Sequence, residues 1–154
     1  MEKFAENLAA AKKSIKIADH LTYMTYPLVK DIKIVISITE HIHNAAIQGM
    51  EAILQYDRYY KRINPLTDNL DSRFQVFKQK CVPRYNFNGD DMVLIEDLMN
   101  LIKHHGNSTM EFVRSDKLIM CSPSFKTKTF DINTIKQYLS KTKRFISKVE
   151  LAIT

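Results

Sequence analysis

Polar and apolar side chains recur along residues 31–63 with the spacing of one long α-helix. Positions three or four apart share a helix face. The polar members of one such face are Lys33, Ser37, Glu40, Asn44, Gln48, Glu51, Gln55, Arg58 and Arg62. The other positions form two apolar stripes, one from Ile32 to Ile53 and one from Ile34 to Ile63. Because a surface helix has a single apolar stripe, we predict that this helix is the centre of a bundle and packs on two sides.

Asp31 and the pair Asn64–Pro65 predict where this helix begins and ends. The carboxylate of Asp31 can accept a hydrogen bond from an amide of the first turn. Pro65 has no amide N–H and disfavours a helical residue before it, so the helix is expected to run unbroken to Ile63. Gly49, in the middle, costs about 1 kcal/mol relative to alanine. That cost indicates close approach of another helix, or else a tolerated drift of the sequence.

The rest of the chain predicts shorter elements around the long helix. Apolar residues alternately four and three apart predict a first helix over residues 2–24. Since the connection after Pro27 is short, the first two helices should form a long antiparallel hairpin. A third helix is predicted to begin at Leu70 and to end at Val82–Pro83, with an irregular segment after it. A fourth helix should begin at Asn88 or Gly89 and end at Gly106–Asn107.

The hydrophobic pattern changes its period after Gly106. Residues 108–111 fit a capping box and one helical turn. Three short segments then predict strands, with turns at residues 115–116 and 122–124 between them; the segments are 112–114, 117–121 and 126–130. Such a small antiparallel β-hairpin or meander is marginal alone, so it must pack on the helices. Asp131 is then expected to cap a final helix.

These elements predict a mainly α fold, an antiparallel bundle of four to five helices. Its long central hairpin comes first, and a small β-hairpin precedes the last helix. The 154 residues fit one domain, residues 1–154. Three glycines and four prolines are few for a turn-rich β architecture.

The sequence predicts a cytoplasmic protein that does not enter a membrane. No apolar run reaches the 18 or so residues that cross a bilayer. The N-terminal residues lack the basic start and apolar stretch of a signal peptide. Cys81 and Cys121 form no CxxC pair, so they are expected to be free thiols rather than zinc ligands.

The net charge of +6 is concentrated in the last third of the chain. Residues 110–154 hold nine Lys or Arg against four Asp or Glu, so +5 of the +6 lies there. A localised basic excess suggests a partner that carries phosphate or another anion. The alternative is a solvated, lysine-rich face with no partner.

Two segments combine cations with aromatic rings, which is the chemistry that binds phosphates and stacked bases. They are residues 57–62 and residues 78–87. The aromatic rings could equally belong to the core. With the basic last third, these segments give the candidate nucleic-acid-binding residues, namely Arg58, Lys61, Arg62, Lys80, Arg84, Lys126, Lys128, Lys143 and Arg144.

Histidines and carboxylates supply the remaining candidate chemistry. Glu40 and His43 have the i, i+3 spacing used in carboxylate-bridged di-metal bundles, but no second such pair occurs. His20 and His41 could join His43 only if the hairpin register aligned them, and otherwise these histidines are packing residues.

His104 and His105 invite a catalytic interpretation, but imidazole is also favoured at a helix C-terminus by the helix dipole. No glycine-rich phosphate loop and no HExxH motif occur. We therefore predict no cofactor.

Several runs are similar to a group of uncharacterised archaeal helical proteins. The longest is Ala18–Asp31, and shorter ones are Tyr60–Ile63, Cys81–Tyr85 and Glu111–Arg114. This resemblance implies a helical fold across most of the chain and no particular activity.

The long hairpin with shorter helices also resembles the HEPN superfamily, many of whose members cut RNA. The active motif of that superfamily is an arginine followed four to six residues later by a histidine. No arginine of this sequence has a histidine at that distance. The resemblance therefore implies the fold without the usual nuclease site.

For function, the sequence favours a helical binding or assembly module that contacts RNA or DNA through its basic last third. The alternative is an enzyme, either a HEPN-like ribonuclease or a metal-dependent helical bundle. Self-association into a homodimer is a third interpretation, because long helical hairpins often pair.

Overall fold

In the computed structural model, the chain forms a helical bundle with a small antiparallel sheet inserted before the last helix. The structure describes residues 2–106, 108, 110–122 and 127–154. The α-helices are α1 Lys3–His20, α2 Ile32–Tyr59, α3 Leu70–Val76, α4 Val82–Tyr85, α5 Gly89–Gly106 and α6 Ile132–Ile153. Two π-helical turns, Leu21–Thr25 and Phe77–Cys81, continue α1 and join α3 to α4. The described residues therefore form five helical segments, and the predicted mainly α fold class is confirmed.

Helix α2 is unbroken through Gly49 and lies at the centre of the bundle, as predicted. Asp31 caps its first turn, since the Asp31 carboxylate accepts a hydrogen bond from the Lys33 amide at 2.9 Å. Helices α1, α5 and α6 all contact α2. Most of both apolar stripes is therefore buried, although Tyr59 at the end of the second stripe is 55 % exposed.

The predicted C-terminus of α2 was wrong by four residues. The helix ends at Tyr59 rather than Ile63, because Lys61 adopts the left-handed conformation with φ of 56°. The Lys61 amide donates to the Arg58 carbonyl at 3.0 Å, and the Arg62 amide donates to the Asp57 carbonyl at 2.8 Å. These two bonds define a Schellman motif, which ends a helix before any proline is reached.

The prediction that Pro83 ends the third helix was also wrong. The π-helical turn Phe77–Cys81 precedes Val82, and Pro83 then falls in the first turn of α4. The missing N–H of a proline costs little there, because first-turn amides have no partner within the helix. The segment ends at Asn86, whose φ of 58° is left-handed.

The predicted strands form a three-stranded antiparallel sheet in the order β1-β2-β3. The strands are β1 Met110–Arg114, β2 Lys117–Cys121 and β3 Thr127–Asp131. Leu118 and Met120 of the central strand are buried against the bundle. Met110 and Glu111 pair with β2, so the helical turn expected there is replaced by a strand. The predicted turn at residues 122–124 lies mostly outside the described residues.

Asp131 caps α6 as predicted, because its carboxylate accepts a hydrogen bond from the Asn133 amide at 2.8 Å. Buried apolar residues from α1 through α6 and from β2 belong to one cluster. Within the described ranges, no helix has both the length and the apolar character needed to cross a bilayer.

Gly49 lies at a close approach of α6 to α2. A Cβ atom added at Gly49 would lie 3.0 Å from Cε2 of Phe145, whose side chain is fully buried. This contact confirms the expected close approach of another helix and explains a glycine in the interior of α2.

Substitution Gly49→Val is expected to destabilise the fold by about 1–3 kcal/mol, because overpacking a filled core forces side chains and backbone apart. The free energy of unfolding in urea, followed by circular dichroism, measures this change. The matched control is Gly89→Val, since a Cβ at Gly89 meets no atom within 4 Å. Equal stabilities of the two variants would contradict the packing of Phe145 against Gly49.

Candidate nucleic-acid interface

The carboxylate of Asp57 is fully buried near the end of α2. Its Oδ2 accepts hydrogen bonds from Arg84 Nη1 at 2.7 Å and from the Cys81 thiol at 3.2 Å. Its Oδ1 accepts a short hydrogen bond from the Tyr85 hydroxyl and lies 3.6 Å from Arg62 Nη1. A buried carboxylate is costly unless it is paired and hydrogen-bonded, so these three hydrogen bonds and the Arg62 ion pair are what allow Asp57 to be in the core.

The Schellman motif at the end of α2 brings Arg62 to Asp57. The motif bonds the Arg62 amide to the Asp57 carbonyl and so places the two residues side by side. A hydrophobic contact commonly joins these two positions, but here an ion pair takes its place. Arg62 Nη1 also donates to the Tyr85 hydroxyl at 3.0 Å. Two guanidinium groups therefore share one buried carboxylate, which leaves a local excess of positive charge.

Four tyrosines and a phenylalanine form an aromatic cluster next to this network. Tyr60 packs edge to face on Tyr56 and on Tyr59, with 5.0 Å between ring centroids in both pairs. Phe4 of α1 packs against Tyr56 and Tyr59 in the same way, at 5.1 and 5.7 Å, and the fourth tyrosine, Tyr85, also contacts Tyr56. Tyr59 and Tyr60 remain 55 % and 51 % exposed. The packing therefore fixes two rings of which about half faces solvent.

One cation lies over an exposed tyrosine, and it shares a cavity with two lysines. The Arg62 guanidinium lies 5.2 Å from the ring centroid of Tyr60, within cation–π range. Lys61, Arg62 and Lys80 line a cavity of about 250 Å³ between the end of α2 and the α3–α4 segment. Among the described residues, Lys61 and Lys80 have no carboxylate within 4.0 Å. We call Tyr59, Tyr60, Lys61, Arg62 and Lys80 the tyrosine–arginine surface.

The structure disperses the other candidate nucleic-acid residues. Arg58 Nη1 donates to the Ile63 carbonyl at 2.9 Å, so Arg58 holds the loop after α2. Lys143 of α6 forms a salt bridge with Asp19 of α1. Lys128 lines a cavity of about 200 Å³ near the end of α5, whereas Arg144 lines one at the beginning of α5. Lys126 lies outside the described residues.

Glu40, which the sequence pairs with His43 as a candidate metal ligand, has another neighbour in the structure. Glu40 Oε1 instead faces His105 Nε2 at 3.6 Å. His43 is partly buried, and burial lowers the pKa of its imidazole. In the part of the chain that the structure describes, which includes His20 and His41, no three or more His, Cys, Asp or Glu side chains are grouped to hold a metal ion.

His105 lies between two carboxylates from different elements. Its Nδ1 is 2.8 and 2.7 Å from the two carboxylate oxygens of Glu111 in β1, and its Nε2 faces Glu40 of α2. The His105–Glu111 contact connects β1 of the sheet to α5 of the bundle. Nε2 of the neighbouring His104 is buried and has no hydrogen-bond partner among the described residues. The geometry thus gives the two adjacent histidines different surroundings.

Sequence reasoning missed Asp57, Tyr85 and Glu111 as members of these clusters. The sequence presents Asp57 only as part of a basic and aromatic segment, although its position four residues after Ile53 continues an apolar stripe of α2 and so indicates burial. Tyr85 and Glu111 carry no such signal, because their partners are 28 and 6 residues away along the chain.

In comparisons with protein-family models, curated proteins and solved structures, no match to this chain was found. The archaeal and HEPN-like resemblances therefore stay predictions. The case for a function comes from the geometry of the chain itself.

The two cysteines are expected to differ in reactivity towards Ellman's reagent. Burial and the hydrogen bond to Asp57 raise the pKa of the Cys81 thiol, and the thiolate is the reactive form. Cys121 is only partly buried. In the folded protein, one cysteine should therefore react quickly with the reagent, and the second should react only after unfolding in guanidinium. A Cys121→Ser variant should not react until it unfolds, and rapid reaction of that variant would contradict the buried Asp57–Cys81 contact.

Alkaline pH should destabilise the protein through Tyr85. Burial and the Asp57 carboxylate raise the pKa of Tyr85 to about 12, against about 10 in an unfolded chain. Between these values the unfolded state loses the proton first, so the free energy of unfolding falls as pH rises from about 10 to 12. Urea unfolding across this range should show a shallower decline for Tyr85→Phe than for wild type.

Tyr26 provides a comparison, because burial and a hydrogen bond to Asp116 raise its pKa to about 12 as well. Tyr26→Phe should also flatten the alkaline decline. At neutral pH, however, only Tyr85→Phe removes a donor from a fully buried carboxylate, at a cost of about 1–3 kcal/mol. An unchanged alkaline slope in Tyr85→Phe would contradict the short contact to Asp57.

Proposed function

We propose that this protein binds single-stranded nucleic acid on the tyrosine–arginine surface. The observation that supports the proposal most is the pair of half-exposed rings, Tyr59 and Tyr60, with the Arg62 guanidinium over the Tyr60 ring. Arg62 in turn lines a cavity together with Lys61 and Lys80. Proteins that bind single strands combine aromatic side chains, on which bases stack, with cations that follow the phosphates. The proposal keeps the nucleic-acid partner expected from the sequence and moves its centre to the end of α2.

The support for a single strand lies in the exposed rings. A base can stack on an aromatic side chain only when it has left its own duplex stack. Edge-to-face contacts with Phe4 and Tyr56 hold the rings of Tyr59 and Tyr60 in place. Rigid rings lose little conformational entropy on binding. A surface for duplex phosphates would need only the cations.

The network around Asp57 supports the proposal because it holds Arg62 in place. Arg62 is held by Asp57, by Tyr85 and over the Tyr60 ring, so its guanidinium is positioned before any ligand arrives. Arg84 balances the charge of Asp57 at 2.7 Å, which leaves Arg62 only loosely neutralised. A preorganised cation costs less entropy on binding than a free lysine side chain.

The test is fluorescence anisotropy with labelled poly-U and poly-dT oligonucleotides at low salt. Tyr59→Ala and Tyr60→Ala should each weaken binding, because base–aromatic stacking contributes about 1–3 kcal/mol per base. That loss corresponds to roughly 5- to 150-fold in Kd. The slope of log K against log salt is negative, and Lys61→Gln and Lys80→Gln should each make it less steep by about 0.7.

Tyr23→Ala is the matched control. Tyr23 is 51 % exposed and lies under the Lys136 ammonium at 5.5 Å, so it shares the chemistry of Tyr60. It precedes α2, whose 28 residues separate it from Tyr59 by about 40 Å. Its removal should leave affinity unchanged. Absence of binding at low salt, or equal losses for Tyr23→Ala and Tyr60→Ala, would refute the proposed surface.

A further inference from the structure

A second group of cations lies where α6 passes the beginning of α5. Lys141, Arg144 and Lys148 are spaced i, i+3 and i+7, so they share one face of α6. With Asn88 and Asp91 they line a cavity of about 250 Å³. Lys143, adjacent in sequence to Arg144, lies on another face and pairs with Asp19.

The charges of this cavity are only partly balanced. Lys148 Nζ lies 2.9 Å from Asp91 Oδ2, so these two neutralise one another. Asp90 also lines the cavity and opposes an anion there. Lys141 and Arg144, by contrast, have no carboxylate within 4.0 Å among the described residues. The cavity therefore carries a net positive charge, and its guanidinium is the group best suited to bidentate recognition of phosphate.

The first turn of α5 is already capped and does not supply the binding groups. The Asn88 side chain accepts a hydrogen bond from the Asp91 amide at 3.0 Å, and the Asp91 carboxylate accepts one from the Asn88 amide at 3.1 Å. This reciprocal pair fixes the wall of the cavity. Any selectivity for an anion must then come from the side chains of Lys141 and Arg144.

A short series of contacts connects the cavity to the Asp57 network, which holds Arg62 of the tyrosine–arginine surface. Asn88 follows Tyr85 by three residues, so their Cα atoms are at most about 11 Å apart. Tyr85 belongs to the Asp57 network, and the ring of Phe87 between them contacts both Tyr85, at 6.4 Å, and Phe145, at 5.4 Å. Phe145 is the residue after Arg144 in α6. The rings of Tyr85, Phe87 and Phe145 thus form a continuous series of contacts from the Asp57 network to α6.

We infer that this cavity binds a backbone phosphate of the same single strand whose bases stack on the tyrosine–arginine surface. The inference rests on the proposed function and extends its footprint across α4 to α6. It gives part of the basic last third a role, through Lys141 and Arg144, and excludes Lys143. The shared chemistry is a phosphate group, which either a nucleic-acid strand or free phosphate could supply.

The experiment compares the double variant Lys141→Gln/Arg144→Gln with Lys143→Gln in anisotropy titrations against oligo-dT of increasing length. Short oligonucleotides that cover only the tyrosine–arginine surface should bind wild type and the double variant equally. Longer ones should bind wild type more tightly and should gain nothing in the double variant. For long strands, the slope of log K against log salt should become less steep by about 0.7 in the double variant, because one phosphate contact is lost. Lys143→Gln should behave as wild type.

The outcomes separate the two claims. If wild type binds long strands but the double variant matches Lys143→Gln in affinity and salt slope, the inference is overturned and the proposed function survives. If wild type binds no single strand, both are overturned together.

Amide chemical shifts of residues 88–91, followed by NMR during titration with inorganic phosphate, distinguish the source of the ligand. Under the inference, wild-type shifts should be small and weakly saturating, because one phosphate makes few of the contacts of a strand. Saturable shifts that vanish in the double variant, together with unchanged strand affinity, would instead identify free phosphate as the ligand and overturn the inference. Thermal melts should show that both variants keep the wild-type fold.

Discussion

The buried carboxylate of Asp57 is the constraint on which this end of the molecule depends. An uncompensated charge in the core would cost several kcal/mol, so the surrounding chain must deliver donors to it. Cys81, Arg84 and Tyr85 come from the α3–α4 segment, and Arg62 comes from the turn after α2. The same requirement therefore docks the α3–α4 segment on α2 and fixes the positions of the cations at the surface.

The ending of α2 converts that buried interaction into a surface with a defined shape. A left-handed Lys61 closes the helix in a Schellman motif, and the motif turns Arg62 back towards Asp57. Tyr59 is the last residue of α2 and Tyr60 follows it, and both remain about half exposed even though Phe4 of α1 packs against Tyr59. Had α2 continued to Ile63, Lys61 and Arg62 would have extended along the helix rather than around a cavity.

The positive charge of the chain is less concentrated in space than in sequence. The basic residues of the last third lie on two sides of α6 and near β3. Asp19 and Asp91 neutralise two of them, Lys143 and Lys148. By contrast, charged residues that are far apart in the sequence come together in the structure. Arg62 and Arg84, for example, both pair with Asp57. Glu40, His105 and Glu111 show the same principle, because three elements contribute one side chain each to a contact that ties the sheet to the bundle.

The sequence by itself determined the elements whose signals are local. Periodicity gave the long central helix, the final helix and the strand segments, and Asp31 and Asp131 marked helix starts, because capping depends on residues two or three positions away. Gly49 indicated a close approach of another helix, and the contact with Phe145 confirmed it. Tertiary structure alone decided the early end of α2, the passage of the chain through Pro83 and the grouping of donors around Asp57. Those outcomes depend on contacts between residues far apart in the chain, and no periodic pattern encodes which side chains meet.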